Sequence, residues 1–126
     1  MRYEDPVAFS KHDAEAAFHS GNEELILEAL LGVSWFCPDW QWVQNHCMLF
    51  LESPNIKIKS LAITCLGHLA RIHGQIDVEF IHSRLSQMLN DPELGGIAED
   101  ALGDIKMFAA GAEGEDEQGS GKASEA

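Results

Sequence analysis

The stretch Trp40 to Gly74, WQWVQNHCMLFLESPNIKIKSLAITCLGHLARIHG, decides the fold. Trp40, Val43, Cys47, Phe50 and Leu51 recur at three- and four-residue spacing and make one apolar stripe on a first helix. Ser53-Pro54-Asn55 interrupts it, because proline donates no intrahelical hydrogen bond and pushes the residue before it out of the α region. A second helix follows, with Ile58, Leu61, Ala62, Cys65, Leu66, Leu69 and Ile72 on its buried side. Gly74 is placed to close that helix as a left-handed C-cap. The stretch is one helical hairpin.

Shorter hairpins of the same design flank it. A Leu-Gly pair recurs late in each second helix, Leu31-Gly32, Leu66-Gly67 and Leu102-Gly103, at spacings of 35 and 36 residues. Glycine costs roughly 1 kcal/mol relative to alanine inside a helix. Three glycines at one phase call for a reason, and close approach of a neighbouring helix supplies one. A fixed period of this size marks a solenoid. The expected fold is all-α, a short right-handed α-solenoid of three hairpins and about six helices.

Outward from the central hairpin, Asp5-Pro6 reads as the start of helix 1, with Asp5 at the N-cap and Pro6 at N1. Helix 1 is expected over Val7 to His19, burying Val7, Phe9, Ala14, Ala17 and Phe18. After the turn Ser20-Gly21-Asn22, helix 2 runs from about Glu23 to Phe36, with Leu25, Ile26, Ala29, Leu30 and Val33 as its stripe. Its first-turn acids suit the helix dipole. Cys37-Pro38-Asp39 breaks the chain, and Asp39 can cap helix 3. Asp77 can cap helix 5, Val78 to Leu89, with Val78, Ile81, Leu85, Met88 and Leu89 inward. Asn90-Asp91-Pro92 then turns the chain into helix 6, from about Glu93 to Phe108. That helix uses Leu94, Ile97, Ala98, Ala101, Leu102, Ile105 and Phe108, while Gly95-Gly96 loosens its start. Residues 1–108 form the helical domain. Residues 109–126 are mostly Gly, Ala, Ser and acid with no large apolar residue, which predicts a disordered tail.

The chain carries a formal charge of −13. Residues 113–126 hold five acids and one lysine, or −4, which leaves −9 on the rest. The acidity therefore belongs to the body as well as the tail. Such a surface repels nucleic acid and anionic membrane and attracts basic surfaces; net charge also aids solubility. No apolar run approaches the roughly 20 residues of a membrane span, and the N-terminus has no apolar signal segment. Cys37, Cys47 and Cys65 are odd in number and unpaired in spacing, which suits small buried thiols in a reducing, cytoplasmic compartment.

Ile58, Lys59, Ala62, Leu66, Gly67 and Leu69 resemble the second helix of a HEAT repeat: an apolar residue, a basic one, two variable positions, alanine, then Leu-Gly and another apolar residue. The third hairpin matches in part through Leu94, Ala98, Leu102, Gly103 and Ile105, with Gly95 where the basic residue stands in the family. The first keeps Leu31-Gly32 and the apolar spacing. The resemblance covers about residues 7 to 108. It implies a HEAT-like stack and says little of function. Among short acidic HEAT-like proteins, the chain is similar to two groups. One is the immunity proteins of contact-dependent inhibition and type VI toxin systems. The other is the small scaffolding or lyase-type HEAT-like proteins.

Several constellations bear on chemistry. The six histidines include no i, i+4 pair on one helix face, and HExxH and CxxC are absent, so no metal site is expected. No nucleophile elbow, phosphate loop or basic stripe is present, and no cofactor is expected. Glu28 and Glu99 each precede their repeat's Leu-Gly glycine by four residues and share one phase; Asp100 and Asp104 extend the second patch by one turn. The HEAT resemblance implies that second helices line one surface. Glu24, Glu28, Glu99, Asp100 and Asp104 are then either part of an acidic binding face or an ordinary solvated helix side. Lys57, Lys59 and Arg71 interrupt the acid and can pair with neighbouring repeats. Trp35, Trp40 and Trp42 either plug the join between the first two hairpins or anchor a partner. Trp40 and Trp42, two apart, cannot face the same core, and Trp42 is the expected exposed one.

The reading is a non-enzymatic protein-binding module whose acidic face, with Trp42, holds a basic protein partner. Its most concrete form is an immunity protein that neutralises a nuclease-like toxin. The alternative is a scaffolding or lyase-type subunit of a larger assembly.

Overall fold

The structure, a computed structural model, describes residues 7–109. Those residues contain six α-helices and no strand. α1 (Lys11–Phe18) begins after Ser10, whose hydroxyl accepts from the Asp13 N–H at 3.0 Å. α2 (Glu23–Phe36) is capped by Asn22, which accepts from the Leu25 N–H, and α3 (Trp40–Phe50) by Asp39, which accepts from the Trp42 N–H. α4 (Ile56–His73) starts on Asn55 and ends at Gly74, whose φ of 67° is the left-handed cap expected of it. α5 (Val78–Ser86) and α6 (Gly95–Asp104) complete the set, and α6 runs on into a π-helical turn, Ile105–Ala109.

The differences from the sequence reading lie at element ends. Val7 to Ser10 is non-helical, because the Ser10 cap and first-turn Asp13 start the helix later; Asp5 and Pro6 lie outside the described residues. α5 stops at Ser86, where Met88 and Leu89 turn back to donate to the Leu85 and Ser86 carbonyls. α6 starts at Gly95 because Asp91 Oδ1 accepts from the Glu93 and Leu94 N–H groups at 2.8 and 3.0 Å, holding those residues in a turn. Ala109, expected to open the tail, is buried at the end of the π turn; the remainder of the expected tail, 110–126, lies outside the described residues.

α2, α4 and α6 lie side by side with α4 in the middle. α1 packs on α2, α3 on α4 and α5 on α6, which makes a solenoid-like stack of three hairpins. α4 is covered on three sides, so its buried set is wider than one stripe. It adds Ile63 and Ala70 to the expected Ile58, Ala62, Cys65, Leu66 and Leu69. Full burial of a leucine such as Leu66 or Leu69 contributes about 1.5–3 kcal/mol each. The expected stripe ends Ile72, Leu89 and Phe108 are exposed instead.

Polar clasps tie the hairpins together. Asn55 Nδ2 donates to Glu23 at 2.9 Å, and Lys57 Nζ lies 3.6 Å from the same carboxylate, joining the starts of α4 and α2. Gln44 on α3 is wholly buried and satisfied at both ends of its amide. It donates to Asp77 Oδ2 at 2.8 Å and accepts from the Asp77 N–H at 2.7 Å. Asp77 is the N-cap of α5 by position, but its carboxylate is spent on Gln44 and not on the helix.

The Leu-Gly pairs do not serve one purpose. A Cβ on Gly67 would lie 3.3 Å from the Ala101 Cα and 3.1 Å from Asp104 Oδ2, so here a neighbouring helix does approach closely. Gly32 faces the backbone of Val7 and the Phe9 ring, while Gly103 faces open space. Gly32 thus points toward the N-terminal segment.

The two glycines therefore answer substitution with opposite signs. Gly67→Val is expected to lower unfolding free energy by about 1–3 kcal/mol through overpacking. Gly103→Ala is expected to raise it by about 0.5–1 kcal/mol through helix propensity. Urea midpoints of the two variants against wild type check both.

Candidate functional site

α4 is covered by α2, α3 and α6, and its fourth side is open. Lys57, Ser60, Thr64, His68 and Arg71 form the ridge along that side, three or four residues apart. Glu24 and Glu28 stand on α2 one turn apart, Glu24 exposed and Glu28 half-buried; Glu28 Oε2 is buried without a hydrogen-bond partner among the described residues. Asp100 and Asp104 stand on α6 one turn apart and line a groove against Thr64, His68 and Arg71 of α4. Helical spacing sets Glu24 and Glu28 on the side of α2 that carries Trp35, whose ring meets His68 of the ridge, so four of the five expected acids flank one open face.

Glu99 does not join them. Helical spacing sets it 100° from Asp100, on the side of α6 shared with Gly103 and turned away from α4. Repeat phase predicts Glu99 beside Glu28, but the Leu-Gly glycines do not meet the same surroundings in successive repeats.

Trp42 departs from its expected role as the exposed tryptophan. It is half-buried in an aromatic cluster, with the His46 ring 4.4 Å and the Phe18 ring 6.4 Å away. Lys11 Nζ lies 5.5 Å above its ring and bonds Asp39 at 2.6 Å. The Lys11 hydrogen bond, with the Trp42 N–H, holds the Asp39 carboxyl below its ordinary range. The same bond raises Lys11. The Trp42 cluster fastens α1 to α3, a packing role. Trp40 is half-buried as well, and the exposed tryptophan is Trp35, at 41%.

Trp35 belongs to a patch that sequence reasoning missed. With His68, Arg71, Ile72 and Phe108 it lines a cavity of about 320 Å³ at the ends of the three second helices. Ile72 is 38% and Phe108 41% exposed. A signal for it existed: Trp35, Ile72 and Phe108 recur near the repeat length. Each was read as the last member of a buried stripe or as a plug between hairpins.

All three cysteines are buried and unpaired. The Cys65 sulfur beside Cys47, together with full burial, pushes the Cys47 thiol well above the ordinary range, which suits a packing role. No helix of the described residues is long and apolar enough to cross a membrane.

Comparison with known proteins places this geometry. Neither a protein-family model nor a curated protein sequence matches the chain. Among solved structures, it is similar to a chain in the crystal structure of a CDI complex from Cupriavidus taiwanensis LMG 19424. The two are 31% identical with a TM-score of 0.79, and the match covers 88% of this chain and 98% of that one.

The Lys11–Asp39 pair has a pH signature. A carboxyl held low in the fold adds stability above its unfolded value, near 3.8, and loses it as pH falls through the lowered folded value. Wild type is therefore expected to exceed Asp39→Asn in urea midpoint at neutral pH. The advantage should be lost in acid, where both side chains are neutral and the cap to Trp42 is kept. A difference independent of pH would assign the effect to packing.

Proposed function

Because the chain belongs to the same family as the Cupriavidus taiwanensis CDI-complex protein, we propose that it is a non-enzymatic immunity protein of contact-dependent inhibition. It binds and neutralises a cognate toxin domain. The single observation that carries this reading is that likeness across 98% of a protein crystallised in a CDI complex.

Charge supports the finer part of the reading. The chain carries −13, and Glu24, Glu28, Asp100 and Asp104 flank one open face. A toxin that acts on nucleic acid has a basic cleft, and an acidic inhibitor is drawn to it along the field before contact. We therefore place the partner among basic, nuclease-like domains and the binding residues on the second-helix face. Glu99, turned away from that face, contributes attraction at a distance but no contact. The Lys57 and Arg71 ammonium and guanidinium groups on the α4 ridge set the register of docking, since they repel a cation set directly over α4.

The test is to sequence the DNA on either side of this chain's gene and to co-express the chain with the C-terminal domain of any large secreted protein encoded there. Growth rescue is expected. The association rate should fall about tenfold or more between low and high salt, as steered encounters do. Absence of rescue would overturn the immunity reading. A salt-independent rate would overturn the acidic-face part alone.

A further inference from the structure

The exposed apolar residues of the second-helix ends have no role in the charge reading. Trp35, Ile72 and Phe108 come from the last turn of α2, the last turn of α4 and the π turn that follows α6. All three converge on one cavity of about 320 Å³. Scattered surface apolar residues need no explanation, but three from separate elements around one cavity form a patch. Tryptophan is the residue most often found as an interface anchor. Here its ring is steadied by the His68 ring, 5.6 Å away.

His68 and Arg71 also line a second cavity of about 180 Å³, between α4 and α6, whose far wall carries Asp100 and Asp104. The two cavities are therefore one groove. It runs from an apolar end at Trp35 to an acidic end at Asp100. Neither aspartate is in an ion pair among the described residues, and neither is Arg71.

We propose that this groove receives one segment of the partner toxin, which seats an apolar side chain between Trp35, Ile72 and Phe108 and a lysine or arginine against Asp100 and Asp104. The inference rests on the immunity reading above and adds the contact that fixes the complex once charge has brought the partners together. Charge complementarity selects the occupant. A cation at the α6 wall meets two carboxylates one turn apart, and the apolar end accepts a side chain that loses water on entry. The Arg71 guanidinium at the centre donates to main-chain carbonyls of the same segment.

The experiment measures binding of the full chain to the toxin domain identified by that co-expression test, by calorimetry, with growth rescue in parallel. Trp35→Ala is expected to raise Kd about 30-fold, the threshold of a hot spot. The double variant D100N/D104N should raise it about tenfold and flatten its salt dependence, while E99Q, which removes only distant attraction, shifts it by less than about twofold. If Trp35→Ala does not melt cooperatively, Ile72→Lys reads the same cavity from an exposed position. A wild-type chain that neither binds nor rescues overturns the immunity reading and this inference together. A wild-type chain that rescues, with Ile72→Lys and D100N/D104N binding within about twofold of it, overturns this inference alone. Sedimentation that shows a dimer broken by Ile72→Lys, with toxin binding unchanged, assigns the patch to a second copy and likewise overturns it.

Discussion

The close approach of α4 to α6 at Gly67 sets the geometry of the stack. A side chain there would meet the Ala101 backbone, so the distance between the two helices is fixed by the absence of one carbon. Ile63 and Ala70 are buried by that closeness, and the Asp104 carboxylate is brought against the α4 ridge. The groove between Thr64, Arg71 and Asp100 exists because these two helices are near but not in register with a flat surface. α4 packs against both α2 and α6 as well as α3, and the hairpins before and after it are held by what it buries.

The sequence made the fold legible wherever a residue acts alone. Asp39 and Gly74 work through their own side chain or backbone, and each caps the helix it was expected to cap. Legibility failed where a residue's role is decided by a partner far along the chain. Asp77 has the chemistry of a cap, but Gln44, 33 residues earlier, claims its carboxylate. Gly32 and Gly103 share a motif with Gly67, but the N-terminal segment lies against the first and open space beside the other.

The functional surface divides the same way. Asp100 and Asp104, one turn apart on one helix, are together as local spacing requires. Glu28 and Glu99 were joined only by a repeat phase, and the helices do not keep that phase. Trp42 was chosen as the exposed tryptophan because two tryptophans two residues apart cannot share a core. That exclusion is sound, but it ignores a third surface: α1 supplies Phe18 and Lys11 to cover the ring. Trp35, treated as part of a plug, escapes cover because the cavity beside it lies at the ends of the helices.

The buried Gln44 has a consequence for kinetics. The connection between α4 and α5 is short and contains Gly74, so by itself it would let the third hairpin swing about a hinge. Both ends of the Gln44 amide hold Asp77, and swinging would leave a donor and an acceptor unsatisfied in the core. The α4–α6 wall is thereby set before any encounter. A ligand arriving there meets a shape already made, so the entropy of ordering the wall is spent at folding and does not slow or weaken association.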